Sequence, residues 1–223
     1  MSETDPLAKL EEAKGLIARA AEEAGRDAAD IEIQAVTKTQ DPETIAPLLA
    51  AGHRHYGENR VQEAGAKWPA LREAHPGARL HLIGPLQSNK AEDAVALFDV
   101  IETVDREKIA RVLAAEMERQ DRRLPVLIQV NIGEEDQKSG VMPTEAVAFA
   151  ARCQRTYDLD LRGFLCIPPL GAPPAPYFAL LDKLAGEAGL PERSMGMSGD
   201  FEAAVSLGAT RVRLGSTLFG PRG

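Results

Sequence analysis

This sequence of 223 residues has few cysteines, no long apolar run and no excess of basic over acidic residues. No apolar run reaches the roughly 20 residues that a membrane-spanning helix needs. The 34 acidic residues outnumber the 26 basic ones, and the formal net charge of −8 excludes a global basic field that would attract nucleic acid or an anionic membrane. We therefore expect neither nucleic acid nor a membrane as a partner.

The two cysteines are Cys153, in a predicted helix, and Cys166, in a predicted strand. No N-terminal apolar segment with a cleavage site precedes them, so we expect reduced, buried thiols in a soluble protein of the cytoplasm. The sequence also contains four histidines, His53, His55, His75 and His81. Their spacing lacks the nearby cysteine or carboxylate clusters of a metal centre, and no metal site is predicted.

What is present is a regular alternation of strand and helix patterns. An amphipathic helix from Asp5 to Ala24 leads the chain, and its apolar residues recur at helical spacing until Gly25. Strands are predicted at 31–38, 55–59, 79–84, 99–104, 125–132, 161–167, 193–197 and 210–214. Helices are predicted between them at 42–52, 61–74, 89–98, 105–121, 143–156, 174–188 and 200–207.

Eight strands separated by single helices indicate parallel strands with right-handed crossovers, and they suit a closed (β/α)8 barrel better than an open sheet. No linker or change in composition divides the chain, so residues 1–223 are predicted to form one α/β barrel domain with an extra N-terminal helix. In such a barrel, functional groups gather at the C-terminal ends of the strands. Polar residues at those predicted ends are Lys38, Glu58, Asn59, Gln87, Ser88, Asn89, Lys90, Asn131, Met197 to Gly199, and Arg213 to Ser216.

Lys38 is the first candidate, because it ends the apolar run that begins at Ile31. A lysine at the end of a buried strand loses hydration, which favours the neutral amine that attacks aldehydes. Such an amine is suited to Schiff-base chemistry. The alternative is a lysine whose stem covers the strand end while its ammonium group reaches solvent.

Two neighbouring strand ends indicate a phosphate site. Met195 to Asp200 ends the seventh predicted strand and opens a helix, and Gly215-Ser216 follows the eighth. Small residues, hydroxyls and backbone N–H groups at the loops after strands seven and eight form the usual phosphate site of this architecture. Each segment alone could be an ordinary turn. Their pairing beside a predicted buried amine suggests a phosphate that bears an aldehyde.

Five segments occur in the order typical of the pyridoxal phosphate homeostasis protein family, which the chain resembles over nearly its whole length. They are Ala-Val-Thr-Lys at 35–38, Tyr-Gly-Glu-Asn-Arg-Val-Gln-Glu at 56–63, His-Leu-Ile-Gly-Pro-Leu-Gln-Ser-Asn-Lys at 81–90, Met-Gly-Met-Ser at 195–198 and Arg-Leu-Gly-Ser at 213–216. The resemblance implies a barrel similar to the N-terminal domain of alanine racemase. It also implies binding of pyridoxal 5'-phosphate (PLP) without a well-established catalytic activity.

The resemblance assigns a role to each matching residue. Lys38 would form the Schiff base, Asn59 would lie beside the cofactor, and Arg213 would face the pyridine nitrogen. The phosphate would be held by the turns that contain Met197, Ser198, Gly215 and Ser216. An arginine at the ring nitrogen has no lone pair to receive a proton, so it disfavours the pyridinium form and leaves the ring a weaker electron sink. The alternative for Arg213 is a barrel-interior or salt-bridged residue.

Racemisation would also need an acid on the opposite face of the substrate, which alanine racemase takes as a tyrosine from a further domain that we do not expect here. Of the three tyrosines, Tyr157 and Tyr177 fall in or at predicted helices, and Tyr56 is interpreted as packing. We therefore predict no catalytic residue and little or no catalysis. The alternatives are a PLP-dependent racemase or related enzyme that uses the same lysine, and a barrel that binds a phosphorylated metabolite noncovalently.

Two segments depart from the family pattern or extend it. Gly163 to Pro168 matches it except at Phe164 and Leu165; these substitutions leave the fold prediction unchanged and affect the wall of the cofactor pocket. Lys138 corresponds to a loop lysine for which a secondary cofactor contact has been proposed, although a solvated charged loop is our expectation. The expected state is a monomer, with PLP-dependent apoenzymes as possible partners.

Overall fold

Eight parallel strands close into a barrel in the computed structural model of the chain, which describes residues 5–220. The strands follow one another in sequence order, and β1 pairs with β8 to close the sheet. The strands are β1 (Glu32–Val36), β2 (His55–Glu58), β3 (Arg79–Leu82), β4 (Val100–Val104), β5 (Pro125–Val130), β6 (Asp160–Cys166), β7 (Glu192–Met197) and β8 (Arg211–Leu214). The predicted (β/α)8 architecture is confirmed. The predicted domain of residues 1–223 includes residues 1–4 and 221–223, which lie outside the described part.

The helices form the outer layer. They are α1 (Pro6–Glu23), α2 (Pro42–Ala50), α3 (Val61–Ala74), α4 (Ala91–Leu97), α5 (Glu107–Arg119), α6 (Pro143–Arg155), α7 (Ala175–Glu187), α8 (Phe201–Ser206) and α9 (Ser216–Phe219). Short 3₁₀ helices cover Ala28–Asp30 and Ser88–Lys90. Of the residues described, no helix is both long enough and apolar enough to cross a membrane.

The leading helix α1 closes the outer layer. Asp5 caps it by accepting a hydrogen bond from the Leu7 N–H at 3.0 Å, and Pro6 occupies the first turn, where its missing N–H costs nothing. Its apolar face packs against α8, α9 and α2. Because α9 is a single turn, α1 takes the place in the outer layer, beside α8 and α2, that a full eighth helix would take. Arg26, just after α1, ties it to the end of α8 through the carbonyl oxygens of Val205 and Ala209.

Several strands end earlier than the pattern predicts. β1 ends at Val36 rather than at residue 38, β2 at Glu58 and β5 at Val130. Apolar patterning does not distinguish the last paired residue from the first residues of the following loop, because both are partly covered. As a result Lys38, Asn59 and Asn131 lie just beyond their strands, on loops that turn over the C-terminal mouth of the barrel.

Candidate functional site

A cavity of about 580 Å³ opens at the C-terminal mouth of the barrel. This volume lies within the range of typical small-molecule sites. Its lining includes all seven predicted site residues: Lys38, Asn59, Met197, Ser198, Arg213, Gly215 and Ser216. Lys38 and Ser216 are 178 positions apart in the sequence. They share one cavity because β1 and β8 are neighbours in the closed sheet.

Lys38 lies in a turn directly after β1 and is partly buried. Thr37, before it, is fully buried, and its N–H donates to the Gly57 carbonyl at 3.0 Å. Thr39, after it, has a φ of 63°, the left-handed conformation that non-glycine residues rarely adopt. The lysine thus stands between a buried residue that extends the strand pairing and a residue that turns the chain sharply.

Arg213 lies at the base of the cavity with 4% of its surface exposed. Its Nη1 donates to the carbonyl oxygen of Ser194 at 2.6 Å and to the Oγ of the same residue at 2.9 Å. Its Nη2 donates to the Cys166 carbonyl oxygen at 2.8 Å. None of these acceptors is a carboxylate. Burial lowers the pKa of Arg213, and the charge of Glu102 opposes that change. Arg213 is therefore both barrel-interior and cavity-lining, so the two interpretations offered for it are compatible.

The turns after β7 and β8 are joined to each other. The N–H of Thr217, in α9, donates to Ser198 Oγ at 3.1 Å. The N–H of Met197 donates to Asp200 Oδ1 at 2.6 Å, which holds the first turn in shape. Gly196, with a φ of 91°, allows this approach, because a Cβ there would lie 2.5 Å from Ala204 Cβ in α8. The hydroxyls of Ser198 and Ser216 consequently belong to one connected wall.

The opposite wall was largely missed by the sequence analysis. Gln129 lines the cavity, and its amide donates to the Ser139 carbonyl at 2.9 Å. Asn131 also lines it, and its amide donates to the Glu135 carbonyl at 2.9 Å. Of these two residues, only Asn131 could be recognised in the sequence as a candidate, because it is a polar residue at the end of a predicted strand. Gln129 lies inside β5, and its inward orientation depends on the register of the barrel.

We expected Lys138 to lie in a solvated charged loop, but its side chain is partly buried. It lines the cavity, pairs with the carboxylate of Glu135 and donates to the Pro168 carbonyl at 3.3 Å. Two other polar segments lie elsewhere than predicted. The side chain of Glu58 is fully buried against Trp68 in α3, and Gln87 to Lys90 are not among the cavity-lining residues that the structure describes.

The ionisable side chains in the described lining are Lys38, Lys138 and Arg213. No tyrosine belongs to that lining. Tyr56 packs on Trp68 with ring centroids 4.9 Å apart and donates to the His53 carbonyl at 3.0 Å, which confirms its interpretation as a packing residue. Among residues 5–220, no group of three or more metal-ligating side chains forms a metal site. The cavity thus offers amines, a guanidinium group and hydroxyls.

Below the cavity, the barrel interior is unexpectedly polar. Glu102 Oε1 accepts hydrogen bonds from Gln34 at 2.8 Å and His81 Nδ1 at 2.7 Å, and lies 3.4 Å from Arg211 Nη1. Burial alone would raise the pKa of Glu102, but the charges of Arg211 and the hydrogen bond from His81 hold it below its ordinary value. Burial lowers the pKa of His81. This network keeps a carboxylate ionised in the core beneath Arg213.

Comparisons with known proteins agree with the fold. The family model described as the alanine racemase N-terminal domain matches residues 15–223. Curated relatives named pyridoxal phosphate homeostasis protein include that of Vibrio cholerae, with 38% identity over 96% of this chain and 94% of the relative. That of Escherichia coli K12 is 39% identical over 96% of this chain and 95% of the relative.

Solved structures of related proteins share the fold of this chain. PipY of Synechococcus elongatus without PLP has a TM-score of 0.81 and 37% identity, covering 86% of this chain and 94% of PipY. With PLP bound, it has a TM-score of 0.78 and 34% identity, covering 92% of this chain and 100% of PipY. An alanine racemase of Clostridium difficile shares the fold with a TM-score of 0.71 at 16% identity, covering 94% of this chain and 56% of the racemase chain.

Proposed function

The chain belongs to the alanine racemase N-terminal domain family, and we propose that it is a PLP-binding protein of PLP homeostasis with little or no catalytic turnover. The curated relatives named pyridoxal phosphate homeostasis protein match this chain over nearly their whole length, and the structure of PipY has been solved with PLP bound. In this proposal the protein acts as a monomer and exchanges PLP with apoenzymes that need it.

The observation that carries the proposal is the position of Lys38, Ser198 and Arg213 around one cavity. PLP has three groups that need recognition: an aldehyde, a phosphate and a pyridine nitrogen. A lysine amine reacts with the first, hydroxyls and backbone N–H groups bind the second, and a hydrogen-bond donor meets the third. The residues present fit all three.

Lys38 would bind PLP covalently. Its amine would condense with the aldehyde, so that a C=N bond would replace the C=O bond and the aldehyde oxygen would leave as water. The linkage is reversible by hydrolysis or by an incoming amine. A protein with this chemistry can store a reactive aldehyde and release it, which is what homeostasis requires.

Ser198, Ser216 and Gly215 would hold the phosphate, with Met197 in the same turn and Asn59 beside the ring. Arg213 would donate to the ring nitrogen. Because a guanidinium group donates hydrogen bonds and has no lone pair to accept one, it would favour the unprotonated form of that nitrogen. When bound, the cofactor supplies an electron sink, and this arrangement leaves the sink weak.

The second candidate is a racemase or related enzyme that uses the same lysine. The fold shared with alanine racemase is the reason to consider it. The described cavity lining contains no tyrosine, histidine or carboxylate that would act as the opposite acid or base, and the Lys138 ammonium is paired with Glu135. We therefore prefer the binding protein.

The test is the visible spectrum of the purified protein with PLP, followed by borohydride reduction and peptide mapping. The matched variants are Lys38→Ala and Lys138→Ala, since both lysines line the cavity. We expect a visible band and a reduced adduct on Lys38 in the wild type and in Lys138→Ala, but not in Lys38→Ala. An unchanged spectrum in Lys38→Ala would refute the assignment and favour noncovalent binding.

Adding L- or D-alanine to the loaded protein then separates the binding protein from the enzyme. A binding protein shows at most a spectral shift as the amino acid exchanges with the lysine. Racemisation at ordinary enzymatic rates, lost in Lys38→Ala, would establish the enzyme instead.

A further inference from the structure

A buried cluster on the outer side of β1 and β2 contacts the backbone on both sides of Lys38. Its centre is Lys67, on α3, whose side chain is 8% exposed. Lys67 Nζ donates to the Thr37 carbonyl at 2.8 Å and to the Gln40 carbonyl at 3.1 Å. These two residues bracket the turn that carries Lys38. The ammonium of Lys67 therefore links the two ends of that turn.

Glu58 completes the charge pair. Its side chain is fully buried, and its Oε1 lies 2.7 Å from Lys67 Nζ. The same oxygen accepts hydrogen bonds from Thr37 Oγ1 at 2.7 Å and from Trp68 Nε1 at 2.9 Å. A buried carboxylate is tolerated only with such partners. Glu58, on β2, therefore holds the ammonium group of Lys67 in place beside the turn.

Glu63 holds the middle of the turn. Its Oε1 accepts a hydrogen bond from the Thr39 N–H at 2.5 Å and lies 3.5 Å from Lys67 Nζ. Thr39 has the left-handed conformation noted above, which costs about 1 to 3 kcal/mol and persists only where surrounding contacts enforce it. Charged side chains therefore contact residues 37, 39 and 40, the neighbours of Lys38 on both sides.

The contacts of Lys67 and Glu63 are made to the turn after β1 and not to the paired part of the strand. Regular pairing between β1 and β2 involves Ala35 and Val36, with Tyr56 and Gly57 as partners, so the turn lies beyond it. Lys67 is not among the cavity-lining residues that the structure describes, and it cannot replace Lys38 as the reacting amine from that position. Its contacts act on where the Cα of Lys38 stands and in which direction its side chain leaves the backbone.

We infer that Lys67, with Glu58 and Glu63, is a positioning residue that fixes the turn of residues 37–40 and so presents the Lys38 amine to an aldehyde in the cavity. This inference rests on the proposed function. It also explains Glu58 and Glu63, two residues of the 56–63 segment that do not line the cavity. Catalytic and binding groups misplaced by about 1 Å lose roughly a hundredfold in rate.

The test compares Lys67→Met with Arg72→Met. Arg72 is a matched control because it lies on the same helix and makes an equivalent pair, donating to Asp99 Oδ1 at 2.8 Å and to the Leu97 carbonyl at 2.7 Å. Two readouts are needed. Hydrogen–deuterium exchange of a peptide covering residues 37–41 reports the turn without PLP, and stopped-flow absorption with PLP, checked by borohydride trapping, reports the reaction of Lys38.

We expect Lys67→Met to exchange faster in the turn peptide and to react at least about tenfold more slowly with PLP. Arg72→Met should match the wild type in both, even if its thermal stability falls. Because Lys67→Met leaves Glu58 buried without its counter-charge, it could fail to fold. The double variant Glu58→Gln/Lys67→Met removes both charges and should fold while showing the same slow reaction.

Equal reaction rates in the wild type and in folded Lys67→Met would overturn the inference. An equal loss in Arg72→Met would also overturn it, because the effect would then be general destabilisation. Absence of any Lys38 adduct in the wild type would refute the proposed function and this inference together. Failure of the inference alone is recognised by a normal wild-type adduct that forms at an unchanged rate in the variants.

Discussion

The guanidinium group of Arg213 donates twice to Ser194, at 2.6 Å to the carbonyl oxygen and at 2.9 Å to Oγ. β7 thereby fixes the orientation of an arginine on β8, and a third hydrogen bond to the Cys166 carbonyl ties it to β6. A buried guanidinium group held by neutral acceptors is oriented without being neutralised. The same side chain lines the cavity, so its orientation there is set by β6 and β7.

Ser194→Ala should loosen Arg213. The variant removes one of three acceptors of a buried charged group, and hydrogen bonds to charged groups contribute about 1.5 to 3 kcal/mol. We expect a loss of that size in the free energy of unfolding by urea, together with weaker PLP binding. Ser206→Ala is the control, since its exposed hydroxyl only donates to the Glu202 carbonyl within α8. Equal stability of the two variants would contradict the importance of the Ser194 hydroxyl.

Glu102→Gln should destabilise the barrel by about 1.5 to 3 kcal/mol, because the hydrogen bonds from His81 and Gln34 lose their charged acceptor, whereas Arg211 keeps Glu32 and Glu192 as partners. The effect is also pH-dependent. The pKa of Glu102 is lowered in the folded state, so its contribution is present above the pKa of the unfolded chain and is lost as pH falls through the lower folded value. Between pH 5 and pH 3 the wild type should therefore lose more stability than Glu102→Gln. Parallel curves would show that Glu102 is not ionised in the fold.

His53 should make the protein less stable as pH falls from 7 to 5. Burial lowers its pKa from 6.5 to about 4, so the folded state keeps the ring neutral while the unfolded chain binds a proton. Stability is therefore lost as pH falls through 6.5. We expect His53→Gln to lose about 2 kcal/mol less than the wild type over this range, measured by urea unfolding at both pH values. An identical loss would mean that other groups, such as His55, account for the change.

Gly84→Ala should damage the cavity rim. A Cβ at Gly84 would lie 2.1 Å from the backbone oxygen of Asn59, so the segments that follow β2 and β3 would have to separate where Asn59 borders the cavity. We expect a loss of about 2 kcal/mol or more in stability and weaker PLP binding. Gly186→Ala, in α7 with nothing within 4 Å of its Cβ, should instead stabilise by about 0.5 to 1 kcal/mol. Two variants of equal stability would show that the rim can relax.

Much of the candidate site could be predicted from the sequence because its residues lie at or just after the ends of strands, and a single sequence locates those ends approximately. The roles of neighbours were harder to predict. Glu58 and Asn59 are adjacent, yet Asn59 lines the cavity while Glu58 turns away to Trp68 and Lys67. Side chains alternate between the two faces of a strand, so a shift of one residue exchanges their roles.

The sequence by itself determined the alternation of eight strands and helices, the leading helix, and the segments that carry Lys38, Ser198 and Arg213. These features depend on local periodicity, on caps and on residue type, which a chain carries without knowing its partners. Only the tertiary structure decided that Glu102 meets Gln34, His81 and Arg211 inside the barrel, and that Lys67 binds the turn beside Lys38. Those contacts depend on how the closed sheet staggers its strands and how α3 packs on it, and both are settled by the whole barrel at once.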